Sequence, residues 1–198
     1  MSALPDRLRD VIEPVRDIHV AALLETLARE LDRGSEVESE PLERDVDGGL
    51  RRDGPLGLPR RLDFRVTREG RTLPRRAQSG AALRFEPFCC AIDDVARLRI
   101  APFSWSAAEV RVFRGAGGAN WGPVRRWFLE AALPRFGEES PDLHGVVHRL
   151  DGPVEEPGGW RFTVDLGSAS VASFSAMLEA FAQSGCAEVR VGETEGVI

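Results

Sequence analysis

The chain has 198 residues and a net charge of −6, and all 26 of its cationic side chains are arginine. Without lysine there is no Schiff-base nucleophile, no phosphate-gripping lysine of a P-loop and no kinase-type lysine–glutamate pair. A hydrophobic content of 42% with 29% charged residues is globular, which excludes wholesale disorder and fibrous repeats.

At the start, Asp6, Arg7, Arg9 and Asp10 stand where a secretory signal needs an unbroken apolar run. No later stretch approaches the roughly 20 apolar residues of a membrane span. A soluble, cytoplasmic protein without a membrane partner is therefore expected. Residues 1–33 read as an amphipathic helical segment, with Leu8, Val11, Ile12, Val15, Ile18, Ala22, Leu23, Leu27 and Leu31 at helical spacing. Pro14 predicts a kink or a second start, and Gly34 a stop. His19 lies near the apolar stripe and reads as a packed or boundary residue. Residues 34–60 are acidic, then basic, and rich in glycine and proline, so a linker or long loop is expected.

Residues 61–198 are expected to form one α+β domain. Leu62, Phe64 and Val66 alternate before a turn at residues 68–71, which predicts a hairpin whose returning arm is demoted to an edge by Pro74. Strands are expected over residues 83–91, 95–102 and 108–113, with a turn at Asp93-Asp94 between the first two. Pro123 opens a helix that runs to about residue 133, with Trp121, Val124, Phe128 and Ala132 on the side expected to face the core. Two strands, 145–150 and 160–166, are expected to flank the polar turn DGPVEEPGG. A helix follows with Val171, Phe174, Met177, Leu178 and Phe181 inward, Ser168 or Ser170 at its start and Gly185 at its end. Residues 187–191 then alternate as a closing strand. The expected fold is a mainly antiparallel sheet covered on one face by two helices, with the N-terminal amphipathic helix added.

Several constellations invite a chemical reading. His148-Arg149-Leu150-Asp151 resembles the H-R-L-D core of the RNA pseudouridine synthases, and the resemblance implies Asp151 as nucleophile with Arg149 assisting. It covers four residues; Gly152-Pro153-Val154-Glu155 replaces the family's threonine-serine-glycine continuation, and the family's tyrosine has no counterpart in a chain without tyrosine. His144 and His148, four apart on an extended chain, are separated by about 13 Å, too far to share one ion. No metal and no cofactor is expected. The glycine-rich stretch ending at Asn120 fails the dinucleotide pattern at its last position and reads as a connection with Asn120 near the next helix cap. Cys89, Cys90 and Cys186 are an odd set without metal spacing, so buried structural thiols are expected.

The largest functional weight falls on arginine. Residues 1–50 carry six arginines against thirteen acids, whereas residues 51–76 carry nine against three. Arg51, Arg52, Arg60, Arg61, Arg75 and Arg76 form three doublets able to grip carboxylates or phosphates with paired hydrogen bonds. Their nearest partners are the chain's own Glu36, Glu38, Glu40, Glu43, Asp45 and Asp47. The function expected is a non-catalytic, intracellular adaptor or regulatory domain that binds an acidic protein, or a second copy of itself, through the N-terminal helix, the doublets, or both. The alternatives are a small enzyme with a pocket near His144, His148 and Asp151, and an arginine-mediated nucleic-acid binder.

Overall fold

A computed structural model describes residues 6–77, 83–91, 96–115, 117–133 and 142–192. The first helix, α1 (Asp6–Asp32), is one element with Pro14 inside it, so no second helix starts there. Pro14 faces solvent, where the carbonyl that its ring displaces from the helix ladder can turn to water. Most of the apolar stripe of α1 is consumed within the chain, Leu31 at its end remaining 53% exposed. Leu8, Ile12 and Val15 belong to the main core, while Leu23 and Leu27 pack with Phe64, Val66 and Leu143 in a second, smaller one.

The segment expected to be a linker is structured in part. Its strand β1 (Glu36–Ser39) is followed by a small ribbon of β2 (Arg52–Asp53) and β3 (Leu58–Pro59). The expected hairpin is β4 (Phe64–Arg68) and β5 (Arg71–Arg75), and β1 pairs with the free edge of β4 to give the order β1-β4-β5. Glu69 and Gly70 both have positive φ, 51° and 72°, which suits the right-handed strand twist at a two-residue turn. With Arg68 and Arg71 paired across that turn, hydrogen-bonded pairs recur at Val66–Leu73 and Phe64–Arg75. Thr72 and Pro74 therefore turn their backbone outward, and at Pro74 the edge has no N–H to offer.

The larger sheet contains β6 (Phe88–Ala91), β7 (Arg97–Ile100), β8 (Ala108–Arg114), β9 (Arg149–Glu156), β10 (Gly159–Asp165) and β11 (Cys186–Val191), in the order β6-β7-β11-β8-β10-β9. Every neighbouring pair is antiparallel except β7 and β11. Helices α2 (Gly122–Ala131) and α3 (Val171–Gln183) pack against each other and against the sheet's apolar face. Their Val124, Phe128, Phe174, Met177 and Phe181 meet Val110, Val112, Phe162, Val164, Val189 and Val191 from alternating strand positions. Ser170 caps α3 by accepting the Ser173 N–H at 3.2 Å. The fold is thus the α+β arrangement expected. No helix among the described residues is long and apolar enough to cross a membrane.

Two local expectations fail here. Residues 145–148 form no strand, and β9 runs instead through what reads as a polar turn. The reason is a register shift opposite Arg161–Thr163, where Gly152 takes φ 116° and lets the strand pass close to Phe162. Residues 83–87 are likewise not strand. The Asp93-Asp94 turn lies outside the described residues.

Candidate functional site

Where the doublets go is set by neighbours that the fold supplies. Arg51 reaches the Glu43 carboxylate at 2.8 Å, and Arg60 approaches its other oxygen at 3.7 Å. Arg52 donates to the Gly57 carbonyl at 3.1 Å. Arg61 is half-buried and spends its guanidinium on the backbone, donating to Ala132 O at 3.1 Å and to Glu40 O. The first two doublets are therefore occupied locally, Glu43 serving as one of the acidic partners expected.

The third doublet ends on a different surface. Arg75, on the α1-facing side of β5, lies 3.4 Å from Glu30, a carboxylate only 6% exposed that also accepts from Arg33 at 2.9 Å. One turn earlier on α1, Arg29 holds Glu25 at 2.6 Å. Arg29, Arg33, Arg75 and Arg76, with Glu25, Glu30, Ala22 and Thr26, line a cleft of about 510 Å³ between α1 and β5. Four guanidinium groups there face two carboxylates. Buried Glu30 holds Arg33 and Arg75 together before any ligand arrives.

A polar cluster is buried elsewhere in the chain. His148 is fully buried, its Nε2 2.7 Å from Glu40 Oε1 and its Nδ1 3.1 Å from Asp63 Oδ1 and 3.9 Å from Asp165 Oδ1. Burial disfavours charge on the ring, but the hydrogen bonds to Asp63 and Glu40 and the charge of Asp165 outweigh it and push its pKa up to about 10. Burial also pushes the Glu40 and Asp63 carboxyls up, yet the His148 hydrogen bonds and charge hold both below the ordinary range. Asp165 goes the other way, raised by burial and, against the pull of His148, by Asp63.

The remaining acceptor capacity is well used. Glu40 takes the His144 N–H on Oε2 and the Ser168 N–H at 3.2 Å on Oε1, while Asp63 Oδ2 takes the Ala77 N–H at 2.8 Å. Glu40, fully buried at φ 48°, thereby ties the end of β1 to the chain leading into β9 and to the start of α3. Asp63 and Asp165 also line an adjoining pocket of about 190 Å³ with Arg60, Arg61, Arg76 and Asp151.

His144 and His148 thus meet at Glu40, the first through its backbone and the second through its ring. Asp151 is paired with Arg149. Asn120 accepts the Gly122 N–H at 3.0 Å beside the start of α2, its expected place. Of the thiols, Cys186 is buried, Cys90 half-buried and Cys89 exposed, so the expected burial fails at Cys89.

Sequence reasoning missed a further arrangement. Strand register places Arg99, Arg190, Arg111 and Arg161 side by side across β7, β11, β8 and β10. Like charges directly opposite are destabilising, and carboxylates relieve them: Glu188 for Arg190 at 2.5 Å, Glu109 for Arg111 at 2.8 Å and Glu156 for Arg161 at 2.7 Å. This row is largely neutralised, and of the α1–β5 cleft and the pocket of about 190 Å³ it is the cleft that carries the cationic excess.

The chain is therefore an α+β protein with an arginine-lined cleft and a buried histidine–carboxylate cluster. Compared with known proteins, it matches no family model, no curated protein and no solved structure.

Proposed function

We propose that the protein is a non-catalytic binding domain whose α1–β5 cleft receives an acidic segment of a partner protein. The observation carrying this reading is the convergence of Arg29 and Arg33 from α1 with Arg75 and Arg76 from β5 and its continuation. Guanidinium groups so placed engage carboxylates in pairs, and fixing them in advance on Glu30 lowers the entropy lost on binding. The cleft joins both features expected to bind, the N-terminal helix and an arginine doublet. It uses the helix's charged side, because Leu8, Ile12, Val15, Leu23 and Leu27 of the apolar stripe are buried in the chain's own cores. A non-catalytic reading is supported by His148, whose two ring nitrogens both sit on carboxylates and leave no lone pair to accept a proton.

Fluorescence anisotropy with a labelled glutamate-rich octapeptide tests the reading. Binding should weaken with salt, and Arg29→Glu with Arg76→Glu should reduce it by about tenfold or more. Equal binding by that double variant, or no binding at millimolar protein, refutes the cleft. A single-stranded oligonucleotide that binds more tightly than the peptide, and loses affinity when Arg51 and Arg52 are replaced, would favour the nucleic-acid alternative.

A further inference from the structure

We infer that Asp63, His148 and Asp165 form a binding site for a divalent metal ion, opening on the pocket that two of them line. One ligand atom from each residue lies within 4.8 Å of the others. The Nδ1 separations from the two aspartate oxygens are 3.1 and 3.9 Å. Ligands bonded at about 2.1 Å to one ion stand roughly 3.0–3.4 Å apart, so small side-chain movements bring all three to one centre.

The surroundings of His148 also suit an ion. Glu40, 2.7 Å from Nε2, fixes that nitrogen as the donor and aims Nδ1 at the two aspartates. A carboxylate behind a metal-bound histidine does this same work in metalloproteins. The metal takes the place of the proton that Nδ1 shares with Asp63, and that proton leaves to solvent. Three carboxylates surround this one imidazole, so a dication replacing a proton lowers the local negative charge. Its remaining coordination positions face the pocket of about 190 Å³, where water or a small oxygen ligand completes the shell. Imidazole with two carboxylates suits Mn²⁺ and Zn²⁺.

The inference does not rest on the arginine cleft, although Arg76 lines both, and it is tested on the full chain with Arg76 intact. Manganese is the better first probe, because the three free thiols compete for zinc. Titration followed by the electron paramagnetic resonance signal of free Mn²⁺ should show one ion taken up per chain. Asp165→Asn keeps an oxygen for the Gly167 N–H and removes a charged ligand; it should weaken uptake by about 10- to 100-fold, with a cooperative thermal transition in chelator showing that the variant is folded. Asp151→Asn, in the same pocket but outside the triad, should leave uptake unchanged. The inference is overturned if the wild type takes up no Mn²⁺ at about 1 mM, or if Asp165→Asn binds as well as wild type. It is equally overturned if Asp151→Asn weakens uptake as much as Asp165→Asn, which would mean diffuse attraction to an acidic pocket.

Discussion

Replacing His19 with leucine should stabilise the protein, and stabilise it more in mild acid than at neutral pH. His19 stands on the stripe of α1 between Val15 of the main core and Leu23 of the smaller one, 3% exposed, with neither ring nitrogen partnered among the described residues. An unmet buried polar group costs about 1–3 kcal/mol, and leucine fills similar space without that cost. The acid part follows from linkage. Burial, with a smaller push from His148, outweighs the attraction of Asp63 and Glu40 and lowers the His19 pKa from 6.5 to about 4. Because the unfolded chain binds this proton more readily, the contribution is complete above about pH 6.5 and is lost as pH falls through about 4. Between about pH 7.5 and pH 5 the loss amounts to about 2 kcal/mol.

His148 acts in the opposite sense: raised to about 10, its contribution is complete below about 6.5 and declines as pH rises from there. The quantity to measure is therefore the difference between His19→Leu and wild type in urea denaturation at the two pH values, in which the His148 term cancels. The variant should gain about 1–3 kcal/mol near pH 7.5 and about 2 kcal/mol more near pH 5. A variant less stable than wild type at neutral pH, or a difference independent of pH, would refute the assignment of His19 as buried, neutral and unpartnered.

A side chain at Gly167, φ 51°, would run into the His148 ring and the Val146 carbonyl, so Gly167→Ala should cost about 3 kcal/mol or more in denaturant unfolding. Pro74→Thr restores an outward N–H to the β5 edge and should raise the apparent mass in light scattering as concentration increases, whereas Pro74→Ser/Thr72→Pro should not. With a thiol-reactive dye, Cys89 should label fastest. Cys186, buried and with its pKa pushed up by burial to about 11, should label only on unfolding.

The parts legible in the sequence are those where local pattern and tertiary role agree. The alternation at Phe162, Val164 and Leu166, the helical spacing of Phe174, Met177 and Phe181, and the Pro74 edge all carry their signal within a few residues. β1 was hidden because none of its side chains is fully buried, so it shows no apolar alternation and is held by backbone pairing with β4. β9 was hidden because Gly152-Pro153 marks a turn in most settings and here serves a register shift. The histidine cluster draws on residues 40, 63, 148 and 165, and the arginine row on four strands. Neither has a spacing to find until the strands are in register. Composition drew attention to the arginine doublets, but the proposed cleft also needs Arg29 and Arg33, which stand singly in an acidic segment.

The larger sheet is assembled out of chain order. β11, the last of its strands to be synthesised, lies between β7 and β8 and joins them from both sides. Until Val191 has left the ribosome, β6 and β7 have no seat beside β8, and the apolar face that α2 and α3 cover is split in two. The nascent sheet therefore waits in two parts for a keystone that is the last of its six strands to emerge.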